Sequence, residues 1–541
     1  MAIEQLPVKL PRELPASGLR RLPAAAAARP APIDWAGIQE ARSRRRGRIA
    51  TRALEIFPGA AAIALISSLV WGYLWFPHQL AVGLLIFDLY WLWKSWTIAF
   101  HVKKGMRLMQ RSQATDWRAE YDAALSRRGD ALPWDGIRHV VIIPNYKESV
   151  EKLRETLTAM AAARGAGSTV IPVLAMEDAD PDARGKASTL VEEFGGKFAD
   201  LLVTFHPQNL AGEVRGKSSN QAWAARCAED ELVGRRGLNI DLLTLTSCDA
   251  DTQFPRQYFE CLAFKFATDQ NRYRRFWQAP IFFYNNIWQV PAPLRVPNAL
   301  QGLVHLSRLT RKRRVLFSQS TYSLSMRMAH DVGYWDRDVI PEDWHMFLKC
   351  FYTLGGAVDV EPIHLPVGND AALSHGARAT VVNQYLQVRR WAWGAVDIAY
   401  AVKEAVRRSD VPILPRILRG WYLVENHVTW STQWFFITLG GNIPWVIDLV
   451  FGTEIMPDWF SLWPRVILTP CLALYLDLII FDAKLRPPAP ATVSPRGQAL
   501  ALVHWLFLPV TSFLFSTLPA LDSQVRLMLG KRMEYRVTEK V

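Results

Sequence analysis

The chain has 541 residues, too many for one simple domain, and half of it is apolar although 21% of the residues are charged. Most of the 22 tryptophans lie in or near apolar stretches, which is typical of membrane interfaces. Many of the basic residues behind the net charge of +13 flank these stretches, so we expect membrane lipids as a partner and no nucleic acid. The five scattered cysteines indicate neither a disulfide framework nor a zinc site.

The N-terminal region predicts a disordered basic arm followed by a membrane hairpin. Residues 1–50 are rich in Pro and Ala, end in RSRRRGR, and lack the apolar core of a signal peptide near Met1. Within residues 51–105, the apolar stretches 56–76 and 80–102 each reach the roughly 20 residues that cross a bilayer. Basic residues flank the pair at both ends, so the positive-inside rule places both ends in the cytoplasm.

Residues 130–395 predict one soluble block in which β-rich apolar runs alternate with helical patterns. Runs such as VVIIP at 140–144 and TVIPVLAM at 169–176 each lead into a helical segment. This order predicts an α/β fold, a mostly parallel sheet with helices on both faces, inserted between all-α transmembrane segments. Ligands of such sheets bind beyond the carboxyl ends of the strands.

The C-terminal part predicts further membrane segments. Residues 396–415 mix apolar and charged positions, which suits a helix on the membrane surface or an ordinary packed helix. Residues 416–522 are expected to hold three or four spans, because the long stretch 421–451 contains GGNIP at 440–444, which suits a second pass or a re-entrant turn. The tail, residues 523–541, is basic, and we place it in the cytoplasm.

The central motif of the soluble block is TLTSCDADT at 244–252, where a β-rich apolar run ends in Asp249 and Asp251. Carboxylate oxygens suit a hard cation such as Mg²⁺ or Mn²⁺, which usually also holds the phosphates of a substrate. Acids after a strand are also common as turn and cap residues, so the motif alone leaves both interpretations open.

Two earlier loops contain candidate binding residues. IPNYKE at 143–148 follows the first strand and is either an ordinary turn or a loop that holds a nucleobase and ribose, with Tyr146 against the base. MEDAD at 176–180 follows the second strand, and Asp180 is its better helix cap, which leaves the preceding acids available as hydrogen-bond acceptors. The candidate nucleotide-binding residues in the two loops are Pro144, Tyr146, Glu148, Glu177 and Asp178.

The motif RGKSSNQAW at 215–223 opens the next predicted helix and places Lys217 at its start. It is not a phosphate-binding P-loop, because that motif needs a glycine at the position of Ala211. A lysine at a helix start still suits a pyrophosphate as a point charge.

Two later motifs complete the set. In PEDW at 341–344, Glu342 and Asp343 are either ordinary acids of a helix start or a catalytic pair, one of which takes a proton from an attacking hydroxyl. QVRRW at 387–391 ends the block, and by itself it is a basic and aromatic sequence at the bilayer surface. Its candidate functional residues are Gln387, Arg390 and Trp391, of which Arg390 suits a departing diphosphate and Trp391 a sugar ring.

In their order along residues 138–395, these motifs resemble those of the membrane-bound family 2 glycosyltransferases, the group that includes cellulose, chitin and hyaluronan synthases. The pattern of that family is an acid after an early strand, then D-x-D, an E-D pair and Q-x-x-R-W. Two departures stand out. Pro341 replaces a common threonine before the E-D pair, and SQSTY at 318–322 lacks the usual glycine-bearing acceptor motif.

The resemblance implies a GT-A nucleotide-sugar fold and an inverting transfer by a single in-line displacement. Glu177 and Asp178 would face the nucleobase, and Asp249 and Asp251 would hold the diphosphate and its Mg²⁺ or Mn²⁺. Asp343 would be the base that deprotonates the acceptor hydroxyl. The Q-x-x-R-W residues would close over the diphosphate and the acceptor.

The expected function is sugar transfer from a nucleotide sugar, with UDP presumed, in polysaccharide synthesis with coupled export. The alternatives are transfer of a single sugar to a lipid acceptor and, more remotely, ATP-driven transport, which the broken P-loop disfavours. We expect an integral protein of the bacterial inner membrane with its catalytic domain in the cytoplasm. The sequence indicates no oligomeric state.

Overall fold

The computed structural model describes residues 20–21, 45–127, 129–311, 315–452, 455–531 and 533. Most of the predicted arm and the end of the predicted tail lie outside these residues. The strands are β1 (Arg20–Arg21), β2 (Arg138–Asn145), β3 (Val170–Glu177), β4 (Leu202–His206), β5 (Leu243–Ser247), β6 (Arg275–Gln278), β7 (Ile281–Phe282), β8 (Tyr322–Ser325), β9 (Asp359–Pro362) and β10 (Val367–Gly368).

The helices alternate with these strands through the middle of the chain, and the elements described after β10 are all helices. They are α1 (Arg45–Trp75), α2 (Pro77–Ala114), α3 (Trp117–Leu125), α4 (Val150–Ala161), α5 (Ala166–Thr169), α6 (Ala183–Phe194), α7 (Lys217–Glu229), α8 (Tyr258–Thr268), α9 (Ala292–Leu309), α10 (Met326–Asp331), α11 (Glu342–Leu354), α12 (Ala377–Ala392), α13 (Asp397–Arg407), α14 (Ile413–Leu439), α15 (Asn442–Phe451), α16 (Trp463–Leu485), α17 (Pro495–Val503), α18 (Leu508–Ser512) and α19 (Leu518–Met528).

The main sheet has the strand order β1-β4-β3-β2-β5-β8-β6-β9. Neighbouring strands are parallel except where β8 pairs antiparallel with β5 and with β6. The predicted α/β fold class, a mostly parallel sheet with helices that pack on both faces, is confirmed.

Strand β2 shows why its sequence is a continuous apolar run. Val140 and Ile142 belong to the core on one face of the sheet, which also contains residues of α7 and α11. Val141 and Ile143 belong to the core on the other face, which also contains residues of α4, α6 and α8. Because successive side chains of a strand point to opposite faces, a strand covered on both sides needs apolar residues at every position.

The sheet brings the carboxyl ends of β2, β3 and β5 to one edge. Strand β2 lies between β3 and β5 and is parallel to both. The chain therefore moves outward from β2 through β3 to β4 and then returns to the other side of β2 at β5. Loops that follow β2 and β5 diverge at such a reversal and leave a crevice between them.

Three helical segments of the described chain are long and apolar enough to cross a membrane: Ile49–Trp75, Asp458–Leu485 and Pro495–Met528. A fourth candidate is the pair α14 and α15, which is bent by 49°. The break lies at Gly440 and Gly441, within the GGNIP sequence where we expected either a second pass or a re-entrant turn. These segments mark the chain as a membrane protein.

Helix α2, the expected second span of the hairpin, is not among the candidate spans found in the described residues. Asp88 and Lys94 lie within its apolar stretch and reduce the mean hydropathy there. The helix packs along α16 and α9, and so joins a candidate span to the α/β block.

Helix α13, in the region expected to be either interfacial or packed, contacts α1, α11 and α14. Its residues Asp397, Ile398, Ala399 and Ala401 are buried. Helix α13, which connects the soluble block to α14, is therefore part of the packed structure.

Candidate active site

A cavity of about 860 Å³ opens at the carboxyl ends of β2, β3 and β5 and extends to α14. Such a volume is in the range of small-molecule binding sites. All predicted site residues except one line this cavity: Pro144, Tyr146, Glu148, Glu177, Lys217, Asp249, Asp251, Glu342, Asp343, Gln387, Arg390 and Trp391.

Lys217 forms ion pairs with two carboxylates of the cavity. It is the first residue of α7, and its Nζ lies 2.7 Å from Oδ1 of Asp249 and 2.8 Å from Oε1 of Glu342. Burial disfavours the ammonium charge, but the two carboxylates outweigh this effect and raise the pKa of Lys217 well above its usual range. One cation therefore joins the D-x-D motif to the E-D pair.

The two aspartates of the D-x-D motif are held in different ways. Oδ2 of Asp249 accepts hydrogen bonds from Oγ of Ser320 at 2.6 Å and from Nδ2 of Asn369 at 3.3 Å. Oδ2 of Asp251 accepts one from the backbone N–H of Asp370 at 2.6 Å. Asp251 is only 3% exposed, so Asp249 presents more of its carboxylate to the cavity.

The donor set fits a divalent cation that arrives with its ligand. Asp249 and Asp251 supply hard carboxylate oxygens at the cavity wall. Within the described ranges, no three His, Cys, Asp or Glu side chains form a metal-binding group. Mg²⁺ is commonly held by one or two carboxylates together with substrate phosphates, and this pair meets that requirement.

The E-D pair begins α11. Asp343 accepts hydrogen bonds from the backbone N–H of Ser320 at 3.1 Å and of Trp344 at 2.8 Å. Burial raises the pKa of Asp343 above its usual range, although these two amides counteract the rise in part. Asp343 is thereby fixed in orientation.

Glu342 differs from its neighbour in hydrogen bonding. Burial raises its pKa to about 7, the charge of Asp343 adds to the rise, and Lys217 opposes it. Its Oε2 is buried and accepts no hydrogen bond from the described part of the chain. A carboxyl group with a pKa near neutrality suits proton transfer at physiological pH.

The loop after β2 forms another wall of the cavity. Lys147 has a φ of 68°, and its backbone N–H donates to Asp180 at 3.2 Å. This sharp turn presents the ring of Tyr146, over which the guanidinium of Arg215 lies 4.5 Å from the centroid. The ring and the guanidinium together form a flat, cationic surface on which a nucleobase could stack.

Glu177 and Asp178 take different positions at the end of β3. Glu177 lines the cavity and bonds to His206 at 3.1 Å. His206 is buried; burial disfavours its charge, but Glu177 and Glu213 raise its pKa to about 9. Asp178, expected beside the nucleobase, does not line the cavity; its carboxylate is partly exposed and bonds to Arg184 at 2.9 Å. Adjacent residues of a strand end point to opposite sides, and the inward position belongs to Glu177.

The Q-x-x-R-W motif forms the last turns of α12. Gln387 is buried, and the ring of Trp391 lies 5.9 Å from that of Phe283. Arg389, the residue between the two ends of the motif, bonds to Asp522 of α19 at 3.0 Å. The motif is thus joined to a candidate membrane span.

Sequence reasoning missed several residues of the cavity, namely Arg215 and the α14 residues Asn426, His427 and Trp430. It also missed Asn369, whose side-chain amide donates to Asp249. Asn369 follows the short strand β10, as the acids follow β5, so the same pattern of polar residues after a strand signals both. The signal for His427 is a histidine within an apolar stretch of spanning length, where ionisable residues are usually functional.

Comparisons with known proteins place this geometry in a family. A model described as "Glycosyl transferase family group 2" matches residues 245–518, just over half of the chain. The match begins in β5 and includes the D-x-D, E-D and Q-x-x-R-W motifs and the helices through α18. No curated protein sequence matches the chain.

Two solved structures show low similarity. The mannosyltransferase PcManGT from Pyrobaculum calidifontis, in complex with GDP-Man and Mn²⁺, has 15% identity and a TM-score of 0.40, over 84% of this chain and 99% of that one. Residues 1–349 of TarS from S. aureus have 12% identity and a TM-score of 0.33, over 64% and 90%. At these values, the fold assignment rests on this chain's own strands and helices, and its family on the sequence match: the chain belongs to glycosyl transferase family group 2.

Proposed function

We propose that this protein transfers a sugar from a nucleotide sugar, with UDP as the expected nucleotide, to an acceptor hydroxyl, with inversion at the anomeric carbon. The observation that carries the proposal is the position of Lys217, whose ammonium bonds both to Asp249 and to Glu342 inside one cavity. Because Lys217 lies between the D-x-D motif and the E-D pair, it supports binding of a diphosphate beside Asp249 and of an acceptor beside Glu342.

The donor would bind along the strand ends. Tyr146 and Arg215 offer a stacking surface for the base, and Glu177 offers an acceptor for its N–H groups. Lys217 and Arg390 place positive charge in the same cavity, where a diphosphate leaving group needs it. Mg²⁺ or Mn²⁺, held by Asp249 and Asp251, would neutralise further charge on the diphosphate when bound.

The proton of the acceptor hydroxyl would pass to a carboxylate of the E-D pair. The hydroxyl oxygen forms the new bond to the anomeric carbon while the bond from that carbon to the diphosphate oxygen breaks. We propose Asp343 as the base, because two backbone amides fix its orientation. Glu342 is a second candidate, because its pKa of about 7 suits the task.

The acceptor would enter from the membrane side, since the cavity extends to α14. We propose growth of a polysaccharide with coupled export as the main function. Transfer of a single sugar to a lipid is the alternative, because a lipid in the bilayer reaches the same side.

We propose the bacterial inner membrane as the location, with residues 130–395 in the cytoplasm and 51–105 as a hairpin of two spans. Support comes from the basic residues on both sides of the hairpin, such as Lys103, Lys104 and Arg107. A nucleotide-sugar donor is also a cytoplasmic substrate.

The test is a donor screen with the full-length protein purified in lipid nanodiscs, following release of nucleoside diphosphate and sizing the products. One donor should be turned over, and Asp249→Asn and Asp343→Asn should each lower turnover by about a hundredfold or more. Asp178→Asn is the matched control, because this partly exposed aspartate does not line the cavity. Equal turnover by all three variants would refute the site, and a single-sugar lipid product would replace the polymer proposal.

A further inference from the structure

The membrane side of the cavity contains a buried histidine. His427 of α14 is 2% exposed and lines the cavity, yet neither of its ring nitrogens has a hydrogen-bond partner among the residues that the structure describes. Buried polar groups are nearly always bonded, because loss of water without replacement is unfavourable. A histidine within an apolar candidate span is itself rare and usually functional. The imidazole is therefore placed to bond a ligand.

The surroundings of His427 fix its position. Its ring lies 5.7 Å from that of Trp344 and 6.4 Å from that of Trp430. Its backbone carbonyl accepts a hydrogen bond from Gln524 of α19 at 2.7 Å. We refer to Trp344, His427 and Trp430 as the aromatic shelf.

Gly394 permits this arrangement. A Cβ added to Gly394 would lie 3.3 Å from Cε1 and 3.4 Å from Nε2 of His427. Such distances are tighter than normal contacts, so a side chain at this position would press on the imidazole. Gly394 follows the Q-x-x-R-W motif by only a few residues, which places that motif beside the shelf.

The shelf adjoins the E-D pair. The backbone N–H of Trp344 donates to Oδ1 of Asp343 at 2.8 Å, and the side chain of Trp344 contacts His427. A molecule with one hydroxyl at Asp343 would therefore have its body against the tryptophan rings and a second group near the imidazole.

We infer that the aromatic shelf binds the acceptor as a neutral sugar ring, with His427 bonding a hydroxyl of that ring. This inference rests on the proposed function and names the acceptor class for it. A neutral imidazole offers one donor and one acceptor nitrogen, which match a hydroxyl or a pair of neighbouring hydroxyls. Aromatic faces carry partial negative charge and attract the C–H face of a sugar.

The chemistry of the shelf decides against a diacylglycerol. That lipid has a single hydroxyl, which Asp343 would use, and nothing would then bond to His427. A sugar ring, whether on a growing oligosaccharide or on a glycolipid, supplies both groups.

The test uses the full-length protein in nanodiscs with the donor found by the screen. Three acceptor probes are compared by the extra nucleoside diphosphate they release: methyl glycosides of common hexoses, octyl glucoside and dioleoylglycerol. Binding of the methyl glycosides is also measured by saturation-transfer NMR with nucleoside diphosphate present, which requires no turnover. Methyl and octyl glycosides distinguish a free sugar from a lipid-borne one.

The informative variants are His427→Phe, which keeps a ring without nitrogens, and His427→Gln, which keeps hydrogen bonding. The variant His427→Phe should raise the acceptor KM on the order of tenfold, which is the effect of one lost hydrogen bond, and should leave the donor KM unchanged. The variant His427→Gln should restore part of the lost acceptor affinity, and Gly394→Ala should raise the acceptor KM as His427→Phe does. Thr429→Ala is the matched control, because its hydroxyl bonds within α14 to the carbonyl of Glu425.

Several results would overturn the inference. These are an unchanged acceptor KM and NMR signal in His427→Phe, a loss of donor binding in that variant, or use of dioleoylglycerol but no glycoside by the wild type. A protein that turns over no donor would instead refute the proposed function, and the NMR comparison would still decide whether the shelf binds sugar.

Discussion

The protonation of Glu342 gives a prediction that couples stability to pH. Burial raises the pKa of Glu342 from its ordinary 4.5 to about 7, in spite of the nearby Lys217. The folded protein then binds this proton more tightly than the unfolded chain does. The stabilising contribution is complete below pH 4.5 and is lost as pH rises through about 7.

The magnitude follows from the two pKa values. At about 1.4 kcal/mol for each pH unit, the rise corresponds to about 3 kcal/mol at pH 8. Glu342→Gln keeps the size and the carbonyl oxygen but cannot ionise, so we expect it to be more stable than the wild type by about 3 kcal/mol at pH 8 and by about 1 kcal/mol at pH 5. Active sites often carry such a cost to stability.

The assay is thermal unfolding of wild type, Glu342→Gln and Glu151→Gln in the same nanodiscs at pH 5 and pH 8. Glu151 is the matched control, because its side chain is 75% exposed on α4. The expected result is a melting temperature of Glu342→Gln that exceeds the wild type by several degrees at pH 8 and by far less at pH 5. A variant that is less stable at pH 8 would show that the Lys217–Glu342 pair is a net stabilising contact and would refute the reasoning.

Three further predictions concern the donor side. When the protein is mixed with Mn²⁺ alone, the electron paramagnetic resonance signal of the free ion should stay unchanged, since two carboxylates need substrate oxygens to hold the ion. Adding nucleoside diphosphate should remove this signal with the wild type but not with Asp251→Asn. Binding of Mn²⁺ without the nucleotide would contradict this prediction. Asp178→Ala should change the donor KM by less than about threefold, because its carboxylate does not line the cavity, whereas Glu177→Ala should raise that KM at least tenfold. Reversed effects would be contrary evidence. His206 stabilises the fold fully below pH 6.5, and this contribution is lost as pH rises through about 9. Over that range the wild type should therefore lose about 3 kcal/mol more stability than His206→Gln, and parallel losses in the two proteins would count against this prediction.

The sheet could be predicted from sequence because it depends on local patterns. Apolar runs such as 169–176 and 240–246 match β3 and β5 to within a few residues, since a strand buried on both faces must be apolar throughout. The antiparallel position of β8 has no such signal, because it depends on which edge the returning chain meets.

The sequence predicts the individual motifs of the candidate site, but not the contacts between them. Each motif lies at the end of a strand or the start of a helix, where polar residues are visible in the sequence. The contact of Lys217 with Glu342 depends on how α7 and α11 pack, which no local pattern encodes. The choice between Glu177 and Asp178 depends on which side of the strand end faces the cavity, and the residues of α14 enter the site only through helix packing.

The contacts made by α19 also affect when the protein becomes competent during its synthesis. Asp522 bonds to Arg389 beside the Q-x-x-R-W motif, and Gln524 bonds to the carbonyl of His427. Among the described helices, α19 leaves the ribosome last. A nascent chain that already contains Asp249, Lys217 and Asp343 still lacks the helix that supports the far side of the cavity. The α12 and α14 side of the cavity therefore gains these two contacts only after α19 has been synthesised.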